Sequence, residues 1–107
     1  MRYLMMSKNT DTPPDENLYT EMGKFIEELT ASGVLLATGG LEPSGIRMTS
    51  SGGEITVTDG PFAEAKEAVG GFALVEVRSK EEAIEIGRRF LRIVGDGESV
   101  MQQVFGP

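Results

Sequence analysis

From Asp59 to Glu67 the chain holds three carboxylates and one ammonium within nine residues: Asp59, Glu64, Glu67 and Lys66. A carboxylate whose pKa is raised by burial, or a lysine whose pKa is lowered, can move protons without a histidine. That matters here because the 107 residues contain no histidine and no cysteine. Ser-His-Asp catalysis, thiolate chemistry and the usual zinc sites are therefore excluded. Asp59, Glu64, Lys66 and Glu67 are the candidate catalytic residues, and the chemistry they suit is proton transfer or hydrolysis on a small organic molecule. The same segment has a purely structural alternative. Asp59 at a strand end can accept hydrogen bonds from the backbone amides that follow it, through Phe62. Gly60 supplies unusual backbone angles and Pro61 stiffens the exit. On that alternative Glu64 and Lys66 form a surface charge pair of little energetic value.

Other features narrow the chemistry. Gly39-Gly40 and Gly70-Gly71 could let a ligand approach the backbone closely, although such pairs also mark bulges and strand ends. Gly39, Gly40, Gly60, Pro61, Phe62, Gly71 and Phe72 are accordingly the expected pocket and structural residues. Neither glycine pair has the strand-to-helix setting of a phosphate-binding loop. Asp59, Glu64 and Glu67 could meet a hard cation, but their spacing is not that of a dedicated calcium loop, and neither metal nor cofactor is expected. The formal net charge of −7 opposes direct binding of DNA or RNA. Met1 to Met6 is too short an apolar run for a signal-peptide core and no later run reaches membrane-spanning length, so a soluble, cytoplasmic protein is expected.

The elements that must position these residues follow from periodicity. Arg2 to Ser7 predicts a first strand. Pro13-Pro14 precedes a helix over about 15–32, with Leu18, Met22, Phe25, Ile26 and Leu29 at helical spacing and Gly33 as its C-terminal cap. Val34 to Thr38 is a continuous apolar run, expected to be a strand covered on both faces and broken by Gly39-Gly40. Ile46 to Thr49 and Glu54 to Thr58 predict a hairpin around Ser50-Ser51-Gly52-Gly53. Gly70-Gly71 opens a strand over Phe72 to Arg78. Ser79 with Glu82 is a capping-box signature for a helix over about 80–94, stopping at Gly95. Ser99 to Phe105 is the last strand.

The order β-α-β-(β-β)-β-α-β is that of a single α+β domain over residues 1–107, a ferredoxin-like sandwich with an inserted β-hairpin. The first strand and the strand at Phe72 to Val77 are apolar on both sides. Two helices cover only one face of a sheet, so the other needs a second cover. A homodimer is expected on this ground, with the face of Tyr3, Met5, Val75 and Val77 as its contact. An exposed ligand-binding sheet is the competing explanation.

The run Thr58-Asp59-Gly60-Pro61-Phe62-Ala63-Glu64-Ala65-Lys66-Glu67, followed by Gly70-Gly71-Phe72, resembles the signature of the DGPF proteins within the wider YCII-related family of small bacterial proteins. Arg2 to Met6, Gly33 to Leu36, Gly39 to Pro43 and Ser79 with Glu81-Glu82-Ala83 resemble stretches at matching places in that family, so the likeness extends over essentially the whole chain. Ala65 stands where many members have Thr. The resemblance implies a ferredoxin-like fold that dimerises into an α+β barrel. A His-Asp pair proposed for some members has no counterpart in a chain without histidine. DGPF domains also occur fused to, or encoded near, alternative sigma factors, which implies a regulatory association. Two functions stay open: a small-molecule binder, with a pocket between sheet and helices and Asp59 to Glu67 near its mouth, or a non-catalytic regulatory or protein-interaction module.

Overall fold

The structure, a computed structural model, describes residues 1–8, 15–42, 44–60 and 69–106. The elements are β1 (Arg2–Lys8), α1 (Glu16–Ala31), β2 (Leu35–Gly40), β3 (Ile46–Ser51), β4 (Glu54–Asp59), β5 (Val69–Glu76), α2 (Lys80–Val94) and β6 (Ser99–Val104). Asp15 is the N-cap of α1 rather than its first helical residue: its carboxylate accepts from the Leu18 amide at 2.8 Å. Beyond the other end of α1, Gly33 takes φ +78°, a conformation a Cβ would strain. At α2, Ser79 Oγ accepts from the Glu82 amide at 3.1 Å, and Glu82 reaches back to the Arg78 amide at 3.2 Å. This capping box is shifted by one residue, since the reciprocal bond goes to Arg78 rather than to Ser79 itself.

β2, β5, β1 and β6 form one antiparallel sheet in that order. With the two crossover helices this is the ferredoxin-like α+β sandwich that the element order predicts. Three boundaries differ from the sequence expectation. Gly39 and Gly40 do not break β2 but lie within it, opposite Phe72 and Gly71 of β5. β5 starts at Val69 and ends at Glu76. β2 is an edge strand, and Leu36, Ala37 and Thr38 are exposed, so its apolar run is not covered on both faces. A run of apolar residues marks a buried strand only where tertiary neighbours exist on both sides.

Alternation assigns the two faces of the sheet. Tyr3, Met5, Val75 and Val77 are buried together with Phe25 and Leu29 of α1 and Ala83 and Ile86 of α2, and Val75 is wholly inaccessible. The sequence expectation made this face the contact with a second copy. It is corrected: the chain's own helices occupy it, because both amphipathic helices need an apolar floor. The outer face carries Leu4, Met6, Phe72 and Leu74, half-buried, with Val100 and Val104 exposed along β6. Gly87 of α2 faces β6, where a Cβ would make ordinary van der Waals contact with the Met101 methyl at 3.4 Å. Arg89 links the helices, stacking 4.8 Å above the Phe25 ring and pairing with Glu28.

β3 and β4 form a separate two-stranded sheet. Gly52 and Gly53 have φ of +58° and +84°, the signs required by the tight turn that suits strand twist. The turn is shorter than expected, because Ser50 and Ser51 are paired within β3. At its base the Gly60 amide donates to the Gly45 carbonyl at 2.7 Å. This hairpin stands out from the sandwich: the radius of gyration is 16.1 Å, against roughly 13 Å for a compact chain of about this length.

Candidate functional site

A cavity of about 210 Å³ lies between α1, α2 and the inner face of the sheet. Met22, Phe25, Ile26 and Leu29 of α1, with Ile86 and Phe90 of α2, form its roof. Met5, Ala73 and Val75 lie in its floor, and Leu35 closes the β2 side. Among the described residues, the polar lining consists of the hydroxyls of Ser7, Thr38 and Ser99 and backbone at Gly39 and Gly71. Thr38 Oγ1 donates to the Phe72 carbonyl at 2.9 Å. Ser7 Oγ lies 3.5 Å from the Gly71 carbonyl, a long and weak contact that leaves this hydroxyl available to a guest.

The cavity exists because the sheet runs out of side chains at this end. Gly71 follows Ala73 and Val75 along the inner face of β5. A Cβ on it would come within 3.2 Å of the Gly39 carbonyl and 3.4 Å of Ser7 Oγ. A Cβ on Gly39 would meet the Phe72 ring at 3.2 Å. Gly71, opposite Gly40, leaves bare backbone beneath the helices, while Gly39, opposite Phe72, makes room for that ring on the outer face. An apolar cavity of about 150 Å³ can accept benzene, so this one has room for a single-ring molecule with small substituents.

The residues singled out in the sequence divide into three groups. Gly39, Gly71 and Phe72 line the cavity, and Gly40 lies opposite Gly71 in the register beside it. Asp59 and Gly60 lie at the root of the β3–β4 hairpin and do not line the cavity. Asp59 is exposed and sits opposite Ile46. The first amide after it, that of Gly60, donates to Gly45 rather than to the Asp59 carboxylate. Pro61, Phe62, Glu64, Lys66 and Glu67 lie outside the described residues. Among the described residues, no cluster of acidic side chains has the arrangement to hold a metal ion. None of the described residues lining the cavity carries an ionisable side chain. What the described lining offers is shape, apolar contact and hydroxyl hydrogen bonds.

Ser7, Thr38 and Ser99 were missed as site residues. The signal was present in the strand period: Tyr3, Met5 and Ser7 share one face, and Ser7 pairs with Ser99 in register. A hydroxyl continuing an otherwise apolar inner row marks where the core gives way to a polar-tipped gap. No described helix is long and apolar enough to cross a membrane.

Comparison with known proteins adds three findings. A solved structure, the 5-chloro-2-hydroxyhydroquinone dehydrochlorinase of Burkholderia phenoliruptrix AC1100 in complex with 2,5-dihydroxybenzoquinone, superposes with a TM-score of 0.53 at 15% identity. The match covers 100% of this chain and 96% of that one, and it supports the fold. An uncharacterized protein of Rhizobium meliloti (strain 1021) is 34% identical over 76 residues, 69% of this chain. The aligned part spans 61% of that relative's length. The family model of the YCII-related domain matches residues 1–97 and takes in both helices, all the inner-face glycines and the cavity except for the last strand. The chain belongs to the YCII-related domain family.

Proposed function

We propose that this YCII-related protein binds a small, largely apolar ring molecule in the cavity between helices and sheet, and that it does so as a homodimer in the cytoplasm. The observation that carries this reading is the cavity of about 210 Å³ beside Gly71, whose described lining is apolar apart from the hydroxyls of Ser7, Thr38 and Ser99 and glycine backbone. Such a lining favours a guest with an apolar body and one or two hydrogen-bonding groups at its edge. A similarly folded enzyme holding a substituted quinone is in keeping with this class of ligand. Acid–base work on the guest, where it occurs, falls to Glu64, Lys66 and Glu67, since the described lining supplies no ionisable side chain and Asp59 lies at the hairpin root away from the cavity. The homodimer draws support from the apolar outer face of the sheet, which the chain's own helices leave uncovered.

The test is a titration of methyl-labelled protein with phenol, hydroquinone and benzoquinone, followed by NMR. Saturable shifts at the Met22, Ile26, Leu35 and Ile86 methyls are expected. Ala73→Leu, which fills the cavity from its floor, should abolish them. No saturable shift with any of the three probes contradicts the reading. A second reading, a non-catalytic interaction module, is favoured by a different observation, the exposed apolar side chains of the β3–β4 hairpin. On that reading the cavity accepts none of the probes.

A further inference from the structure

The β3–β4 hairpin has the pattern of a half-buried sheet but lacks the burial. Register places Ile46 with Asp59, Met48 with Val57 and Ser50 with Ile55, so Ile46, Met48, Ile55 and Val57 share one face, with Ser50 near the turn and Asp59 at the root on the same side. Arg47, Thr49, Ser51, Glu54, Thr56 and Thr58 share the other. The four aliphatic side chains are 68%, 66%, 65% and 59% exposed, respectively. A solitary two-stranded hairpin is at best marginally stable in water, and one with a contiguous uncovered aliphatic face more so.

We propose that this hairpin is an arm whose aliphatic face lies against a second copy of the chain. The inference rests on the two-copy assembly put forward above and identifies the element that joins it. Three observations select a second copy as the occupant. The same chain leaves a second apolar surface uncovered by its helices, the outer sheet face of half-buried Leu4, Met6, Phe72 and Leu74 edged by exposed Val100 and Val104. A self-complementary pair brings two arms and two such faces together, and a chain that carries both needs no other protein to cover either. The combined surface also has the right extent. Four aliphatics on the arm and six large apolar side chains on the sheet make the core of an interface of standard size, roughly 800 Å² per partner. Finally, the chain is extended, measuring 47 × 37 × 19 Å with a radius of gyration of 16.1 Å, a shape that leaves the arm free to reach a neighbour.

Sedimentation of the full chain is the first test. Wild-type protein should run at twice the 11.5 kDa chain mass. Val57→Glu and Met48→Glu place a charge on the aliphatic face and should raise the dimer dissociation constant by about 100-fold or more. Thr56→Glu, on the opposite face of the same strand, should leave it within about threefold. Because a charged variant could unfold the arm itself, wild-type dimers mixed from isotope-labelled and unlabelled chains provide a second measurement. Isotope-filtered nuclear Overhauser effects should connect the Ile55 and Val57 methyls to protons of the other chain. A monomeric wild type overturns both the assembly and the arm. A dimer that tolerates both charges and shows no contact between arm methyls and the other chain overturns the arm alone.

Discussion

The helix-covered sheet and the β3–β4 hairpin are built from the same alternating pattern, and they differ in what lies on their apolar face. In the sheet, Tyr3, Met5, Val75 and Val77 alternate with outward residues, and two helices bury them. In the hairpin, Ile46, Met48, Ile55 and Val57 alternate just as regularly and remain about two-thirds exposed. Periodicity therefore states which side chains need cover, not which element supplies it. A face covered within the chain should govern folding stability. A face left open should govern association.

The sharpest contrast comes from placing a charge on each face. Val75→Asp buries an unpaired carboxylate at the least accessible position and should destabilise the fold by about 4 kcal/mol or more, enough to leave much of the chain unfolded in far-UV circular dichroism. Truncation makes the same point more gently. Phe25→Ala removes the ring that packs on the sheet and stacks under Arg89, and should cost about 3–5 kcal/mol in a urea melt. Ile55→Ala, measured at high dilution, should cost no more than about 0.5 kcal/mol, because its side chain makes little contact within its own chain. Equal losses at the two positions would erase the distinction between them. Ser79→Ala removes the cap that holds the start of α2 and should cost about 1 kcal/mol. Glu28→Gln sits lowest on the scale. Its pairing with Arg89 is at the surface, so its loss should change the melt by about 0.5 kcal/mol or less, with salt reducing the difference further.

Much of the scaffold was legible because it depends on local chemistry. Ser79 with Glu82, Gly33 after α1 and Gly52-Gly53 in the hairpin each act through their own backbone, and each stands where the sequence placed it. The apolar spacing of Phe25, Ile26 and Leu29 likewise found the face that α1 buries. Long-range facts were not legible. Val75 and Leu74 are both aliphatic, and nothing in their spacing says which one faces the helices. That depends on the register of β5 against β1 and on the side from which the crossovers pack. The Gly39-Gly40 pair illustrates the same limit. In sequence the pair reads as a strand end, but here Gly40 and Gly71 are brought together by pairing of β2 with β5. The cavity is a consequence of that pairing, so it could not be read from either strand. The acidic segment is the reverse case. Its composition drew attention to Asp59, yet the structure puts Asp59 at the arm's root, away from the cavity.

Amide hydrogen exchange over a dilution series compares the two regions in a single sample. The amides of β1 and β5 should keep the same protection at every protein concentration, since their cover belongs to their own chain. Those of β3 and β4 should be protected in concentrated protein and lose protection progressively on dilution, as the second copy leaves the arm. Arm amides that exchange freely at all concentrations, or that stay equally protected at all of them, would contradict the claim that a partner chain covers this face.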